Sequence, residues 1–367
     1  EIASCLVGSE MCIRDSIYAD YYYIEALMRW KKIRAGQSLS EANKFMHPGI
    51  LHTKESLERM KYYIDHRIEP AYSSYRLLEA DSCALSTYQM QGPFEVIARL
   101  GVNKHTKRPS EDDHKAAYLN ALMWTLTGDE AHARKSIEIL NAYSAMLKLI
   151  GPNDNDDPLC ASLQGSMLAN AAELIKHTYS KVTPAEIAGW EKMLRTVFIP
   201  VLDTFFKAKP YTNGNWGAAA TKAYMAFGIF LEDEALYNQA VHFYYNGHDN
   251  GTIKNYIGEN GQCQESGRDQ DHVMFGLGNL AEACETAYNQ GDEKMYAAFD
   301  NRLLTGYEYT AKYNLGESVP FTTWTDISGR YCNWQTISDK LRGVFRPIYE
   351  IVCLLYTSPS PRDKRQS

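Results

Sequence analysis

Between Asp112 and Tyr313 the chain reads as one helix-length run after another. Each run stops at glycine, proline or asparagine, and connectors of two to eight residues join it to the next. Such a succession leaves little room for a β-architecture, which needs short alternating stretches bounded by turn residues. Apolar spacing predicts helices over Asp112–Thr127, Asp129–Ile150, Ala161–Tyr179, Thr183–Phe206, Gly214–Leu231, Asp233–Tyr245 and Glu293–Tyr313. Gly128 and Gly151-Pro152 supply stop signals. Upstream, Tyr18–Ala35 is aromatic-rich and helix-compatible. Thr53 heads a capped helix carrying Leu57, Met60, Tyr63 and Ile64, and Tyr72–Leu78 continues in that style. Residues 82–109 are less regular, with Gly92-Pro93 and Arg108-Pro109 as breakers; Val319–Thr325 is the best strand signal. Short connectors make successive helices antiparallel neighbours. No strict repeat period is visible, which argues against a regular solenoid. The expected fold class is all-α: an (α/α) toroid, or incomplete barrel, of antiparallel helical hairpins.

The two ends read differently from the rest. Ser4–Ser16 and Cys353–Asp363 have the character of translated sequencing-adapter sequence, and residues 364–367 continue the second. Residues 1–16 and 353–367 are therefore set aside, as a segment foreign to the fold would be. One toroid domain is expected over residues 17–352, truncated at both ends. The net charge is −7 with or without those ends. Glu1, Glu10 and Asp15 against Arg14 at one end balance Arg362, Lys364 and Arg365 against Asp363 at the other. An acidic chain is a poor nucleic-acid binder, and an anionic substrate would need a local cluster of cations. Cys83, Cys160, Cys263, Cys284 and Cys332 are scattered and never in CxxC spacing, so they signal neither a disulfide framework nor a zinc site. No apolar run is long enough to span a membrane.

Three stretches could carry chemistry. The first, Tyr211-Thr212-Asn213-Gly214-Asn215-Trp216-Gly217, runs from a loop into a helix. Asn215 falls near the helix N-terminus, where backbone N–H groups and the dipole favour an anion. The plainer alternative makes Asn213 or Asn215 an N-cap.

The second stretch spans Gly261–Gly291 and opens with unusually dense polar residues. Gln264, Arg268 and His272 are spaced i, i+4, i+8, which on a helix puts an amide, a fixed cation and an imidazole in one row. Arg268 suits bidentate binding of a carboxylate, and His272 a base or donor role. Against this stands a solvated first turn in which Glu265 and Asp269 complement the dipole. The third stretch, Gly306–Gly316, carries Tyr309 and Tyr313 on one helix face. A tyrosine beside a cation ionises more easily and can act as base, then acid; the alternative is aromatic core packing.

Weaker candidates are Asp154, Asp156 and Asp157, which resemble a calcium loop only loosely, and His47 and His52, which flank a turn and suit capping or packing. No metal or cofactor motif is present in the sequence. The chain holds 26 tyrosines and 6 tryptophans, most of which suit core or hairpin packing. Rings in loops beside polar residues suit a carbohydrate cleft, where they stack on sugar faces. Asn213, Trp216, Gln264, Glu265 and Tyr256 are the substrate-binding candidates.

Taken together, five motifs resemble the alginate-lyase superfamily of polysaccharide lyases. They are His47-Pro48-Gly49-Ile50-Leu51-His52-Thr53, Asn213-Gly214-Asn215-Trp216, Gln264-Glu265-Ser266-Gly267-Arg268-Asp269-Gln270, His272, and Glu308 through Gly316. The resemblance is to its Bacteroidetes-type members, with polysaccharide lyase family thirty-eight as the candidate subgroup. It implies a toroid of six or seven hairpins, export to the periplasm or medium, and metal-free β-elimination on a uronic-acid polymer, alginate or polymannuronate first and glucuronan as the alternative. It also implies Asn215 and Arg268 as carboxylate neutralisers, His272 as neutraliser or base, and Tyr309 or Tyr313 as base and acid. Many superfamily members carry Asn-His where this chain has Asn215-Trp216, which shifts the histidine role toward His272. Positive charge on the uronate carboxylate stabilises the charge that develops when the neighbouring C5 proton leaves. Two competing readings are a glycoside hydrolase using Glu265 and Asp271 and a glycan-binding protein without activity.

Overall fold

A computed structural model describes residues 45–152, 155–331 and 333–352. The expected Tyr18–Ala35 helix, Asp154, Cys332 and both adapter-like ends lie outside the described residues. The helices are α1 (Lys54–Asp65), α2 (Ala71–Glu79), α3 (Lys107–Thr127), α4 (Glu130–Met146), α5 (Asp157–Thr178), α6 (Pro184–Met193), α7 (Ile199–Lys207), α8 (Gly214–Phe230), α9 (Glu234–Asn246), the single turn α10 (Ile253–Tyr256), α11 (Gln270–Asn289) and α12 (Lys294–Asn314). A π-helical turn, Leu194–Phe198, joins α6 to α7, and non-helical backbone at Ala298–Asn301 breaks α12.

Helices α3, α5, α8 and α11 pack each against the next and form an inner layer. The alternate helices α4, α6–α7, α9 and α12 back them from outside, and α1 packs with α2 and α3. This is an (α/α) toroid of five helical pairs among the described residues. The inner helices show why it forms. In α8 every residue except Trp216 and Lys222 is buried, so the helix is apolar all round rather than striped, as a helix enclosed by others must be. Lys222 reaches Glu282 of α11 at 2.7 Å. Close approach of α5 and α8 needs a missing side chain: a Cβ on Gly165 would lie 2.6 Å from the Phe227 ring.

Local chemistry sets most of the boundaries. Thr53 caps α1 in a reciprocal box with Ser56, and Thr183 caps α6 in one with Glu186. Gly128 ends α3 in the left-handed conformation that glycine adopts freely, and Asp129 caps α4. Four expectations need correction. Pro109 does not break a helix; it sits in the first turn of α3, where no intrahelical N–H is required. Helix α4 stops at Met146, because residues 147–151 turn to pair with the segment at Val96–Ile97. Lys148 N donates to Glu95 O (2.9 Å) and Gly151 N to Ile97 O (2.7 Å), giving a two-residue parallel ladder. Val319–Thr325 forms no strand; its carbonyls and amides bond to side chains instead, Thr322 to both ends of the Gln262 amide.

The fourth correction matters most for the site. The helix expected to carry Gln264, Arg268 and His272 in one row begins only at Gln270, with Asp269 as N-cap accepting from His272 N. Residues 258–269 form a folded loop tied by an isolated bridge between Ile257 and Cys263. Gln264 and Arg268 lie in that loop, so the row does not exist. Cys83, Cys160, Cys263 and Cys284 are buried and in no disulfide, and no helix of the described residues is long and apolar enough to cross a membrane.

Behind the start of α8, the turn at Asp249–Gly251 packs backbone to backbone. A Cβ on Gly251 would lie 2.4 Å from Gly214 O, and one on Gly217 2.4 Å from Asp249 Oδ1. Asp249 is 4% exposed. Burial pushes its carboxyl up to about 7, with the Gly251 N–H and His248 pulling the other way and Asp326 adding to the rise. A folded-state pKa above the unfolded value means that the folded chain holds the extra proton. Stability from this group therefore falls as pH rises from about 4 to about 7, then stays low. Asp249→Asn keeps the Oδ1 acceptor and removes the ionisation. Its melting temperature is expected to match the parent at pH 4 and exceed it at pH 8, where the difference is bounded at roughly 4 kcal/mol. Thermal unfolding across that range checks this; a gain independent of pH would contradict it.

Candidate active site

Glu265 is the centre of the site. Its carboxylate is fully buried at the N-terminus of α8, where it accepts from Asn215 Nδ2 at 2.9 Å on both oxygens and from Asn215 N at 3.3 Å. Arg268 Nη1 donates to it at 2.7 Å, and Tyr256 OH lies 3.3 Å away. The anion-favouring helix terminus is thus filled by the chain's own carboxylate. Burial pushes the Glu265 pKa up, against the pull of Arg268, Asn215 and His272. Gln264 makes the neighbouring clasp, accepting from Gly214 N (2.9 Å) and donating to Asn213 Oδ1 (3.1 Å). Loop 258–269 is thereby fixed on the start of α8.

These contacts sort the expected residues. Asn215 is 1% exposed and spends its amide N–H groups on Glu265; it is neither a simple N-cap nor a cleft-facing neutraliser. Asn213 is the N-cap by position, but its side chain makes no capping bond. Glu265, Gln264 and Tyr256 are buried beneath the site rather than exposed to a ligand. Arg268 does reach a cleft, with its side chain 33% exposed and its guanidinium anchored on Glu265. His272 projects from the first turn of α11. Its Nδ1 is 2.8 Å from Asp269 Oδ1 and 2.9 Å from Oδ2, an arrangement that assigns the proton to Nδ1 and leaves the Nε2 lone pair free. Asp269 is held below its usual range: burial opposes this, but the His272 backbone and ring bonds outweigh it.

The cleft has a volume of about 650 Å³. Asn213, Trp216 and Arg268 form one side, Tyr211 and Thr212 continue it, Asn155 and Asp156 come from the start of α5, and Arg330 and Tyr331 close it. Tyr309 and Tyr313 do not line it. Tyr309 is 5% exposed and donates to Pro320 O at 2.7 Å. Tyr313 is 6% exposed and lies under the Arg342 guanidinium, 4.0 Å from its ring centroid. The i, i+4 spacing does put both on one face of α12, but that face is covered: a Cβ on Gly261 of loop 258–269 would lie 2.8 Å from Tyr309 Cβ, and Arg342 lies over Tyr313. The paired-carboxylate arrangement is also absent. Asp271 is clamped by Arg346 at 2.5 and 2.7 Å, and Glu265 is buried against Arg268.

Of the two tyrosines that line the cleft, Tyr211 and Tyr331, the second stands beside an arginine. It sits in a loop built on Asp326, which is 4% exposed and accepts from Tyr331 N (2.8 Å), Ser328 N (2.9 Å) and Asn250 Nδ2 (2.9 Å). Asn250 also donates to Thr212 O at 2.7 Å, which joins this loop to the one before α8. Tyr331 OH and Arg330 Nη1 each lie 3.2 Å from Tyr211 O. Burial raises the Tyr331 pKa, while Arg330 and then Arg268 pull it down. The sequence signal for this residue is Arg330-Tyr331 directly after Asp326-Ile327-Ser328-Gly329, a cation and a phenol in a polar turn. Helical spacing is blind to it.

A family model described as "Alginate lyase" matches residues 92–321, which takes in Glu265, Arg268 and His272 and stops short of Tyr331. No curated protein sequence matches the chain. Among solved structures, alginate lyase A1-III from Sphingomonas species A1 superposes with a TM-score of 0.61 at 12% identity, over 83% of this chain and 88% of that one. An alginate lyase from Bacteroides ovatus gives 0.57 at 16% identity, over 74% and 85%. A variant of A1-III complexed with a tetrasaccharide gives 0.56 at 15%, over 71% and 77%. These likenesses establish the toroid fold, and the family match covers more than half of the sequence. The chain belongs to the alginate lyase family and is a polysaccharide lyase.

Proposed function

We propose that the protein cleaves a uronic-acid polymer, alginate and its polymannuronate blocks first, by β-elimination with Arg268 as carboxylate neutraliser. The observation that carries this is a guanidinium fixed on a buried carboxylate while part of it faces a cleft of sugar-binding size. A C5 proton is a poor acid while the adjacent carboxylate is free. A preorganised cation on that carboxylate lowers the barrier, because no solvent has to reorganise as charge develops. Glu265 and Asn215 position Arg268. Tyr331 takes the C5 proton and returns it to the leaving O4; Trp216 and Tyr211 offer rings for sugar faces. This chemistry needs no metal at the cleft. The family description and the alginate lyases among the structural neighbours support the substrate class, with glucuronan as the alternative. Export to the periplasm or medium follows from the same reading.

A second assignment of the base is His272. The bond from Nδ1 to Asp269 favours it, since it leaves Nε2 as a proton acceptor. Tyr331, protonated at neutral pH under the influence of burial, would then act only as acid.

Incubation with polymannuronate, polyguluronate and glucuronan, followed by ultraviolet absorbance of the unsaturated uronate product, tests the reaction. Absorbance is expected on at least one polymer, unaffected by a chelator, and no absorbing product from folded protein on any of them would end the proposal. Tyr331→Phe is expected to lower kcat by about 10²–10⁴-fold with KM little changed, whereas Tyr309→Phe and Tyr313→Phe retain turnover. Full activity of Tyr331→Phe would overturn its role. With Tyr331 as base, kcat/KM rises with pH into the alkaline range; with His272 as base, His272→Gln carries the larger loss. Glu265→Gln, which keeps the shape and removes the charge behind Arg268, is expected to lower kcat/KM by about 10²-fold.

A further inference from the structure

Helix α5 starts beside the cleft, with Asp156 as its N-cap, and about 25 Å along it by its 1.5 Å rise per residue Glu173 opens a second group of ionisable side chains. Here the His47-Pro48-Gly49 turn meets the last turns of α5 and the turn after α8. Glu173 is 1% exposed. Its Oε1 accepts from His47 Nδ1 at 2.7 Å and from Gly49 N at 3.2 Å. Its Oε2 makes no hydrogen bond and lies 3.5 Å from His177 Nε2. His47 Nε2 is 2.5 Å from Glu232 Oε1. One donor atom from each of His47, Glu173 and His177 can be chosen so that all lie within 4.8 Å of one another.

We propose that His47, Glu173 and His177 form a binding site for a divalent transition cation such as Zn²⁺ or Mn²⁺. Three observations combine. A buried carboxylate oxygen without a partner is costly and calls for a cation or a donor. The donor set, two imidazoles and one carboxylate, suits first-row divalent metals at four-coordinate sites whose fourth position is left to solvent. The charge there comes from His47, which bridges Glu173 and Glu232 and whose proton the ion replaces; Lys176, beside His177, is engaged by Glu191 Oε1 and Phe230 O, both at 3.3 Å.

The ion seats between Glu173 Oε2 and His177 Nε2, and one His47 nitrogen turns from its carboxylate to the ion, losing its proton to solvent. The His47 and His177 rings stack with centroids 4.2 Å apart, so one must rotate to aim its lone pair. The His177 side chain is 23% exposed and has room to do so. Glu173 Oε1 keeps the Gly49 N–H bond meanwhile. The bound ion would staple the His47-Pro48-Gly49 turn to the inner helix α5. It is a structural site, separate from the cleft, and departs from the expectation of a chain without metal.

Calorimetric titration of the chelator-stripped full chain with Zn²⁺ and with Mn²⁺, alongside thermal unfolding, tests this. The expected result is one equivalent bound at micromolar affinity or tighter by at least one of the two ions, with a higher melting temperature. His177→Ala, a change at a partly exposed side chain, should lower that affinity by at least about tenfold, whereas His105→Ala at the surface leaves it unchanged. Absence of binding to the parent by either ion, or equal binding by His177→Ala, would overturn the proposal. Neither readout depends on polysaccharide cleavage, so failure here and failure of the lyase reading remain distinct.

Discussion

The site depends on one buried carboxylate. Glu265 has no solvent access, so its charge must be met by protein groups at close range. Asn215, the start of α8 and Arg268 supply them. Together these contacts fix three pieces at once: the N-terminus of an inner helix, the folded loop 258–269 and the cation that faces the cleft. A guanidinium placed this way cannot relax toward water as an exposed arginine would. That rigidity suits the proposed reaction, in which charge develops on a carboxylate.

A second anchored carboxylate, Asp326, does for Arg330 and Tyr331 what Glu265 does for Arg268. Asp326 gathers the amides of Ser328 and Tyr331 and the side chain of Asn250, so Arg330 and Tyr331 are presented by a loop with little freedom. Through Asn250 the same unit grips Thr212, beside the loop that leads into α8. The cleft is thus assembled from two short polar loops, both pinned near the same helix start and resting on an apolar toroid. The aromatic residues divide along this line. Tyr256, Tyr309 and Tyr313 are structural rings, and Tyr211, Trp216 and Tyr331 face the cleft.

Helices are legible in the sequence wherever their apolar content and end signals agree. Gly214–Phe230 and Glu234–Asn246 lie within a residue of the expected bounds, because inner-layer burial demands a long apolar run and Asp233 marks the next start. Boundaries fail where a distant segment competes for the backbone, as at Met146, where pairing with residues 95–97 replaces the last helical turn. The motif around Gln264 to His272 stands out by its density of polar groups, but its spacing misleads about its geometry. The i, i+4, i+8 pattern fits a helix, and only the capping of α11 by Asp269 shows that Gln264 and Arg268 precede it.

Sequence alone determined the all-α class, the succession of hairpins and the prominence of the Arg268 motif, since periodicity, caps and local charge are properties of neighbouring residues. Tertiary structure alone decided which polar groups face the cleft. Asn215 and Arg268 are both polar residues in marked motifs, but one spends its donors on Glu265 and the other keeps part of its surface for a ligand. Tyr331, far beyond Arg268 in the chain, reaches the same cleft because Asp326 and Asn250 fold its loop back onto Thr212. Burial and partnership are set by contacts between segments remote in sequence, and no spacing rule along one segment encodes them.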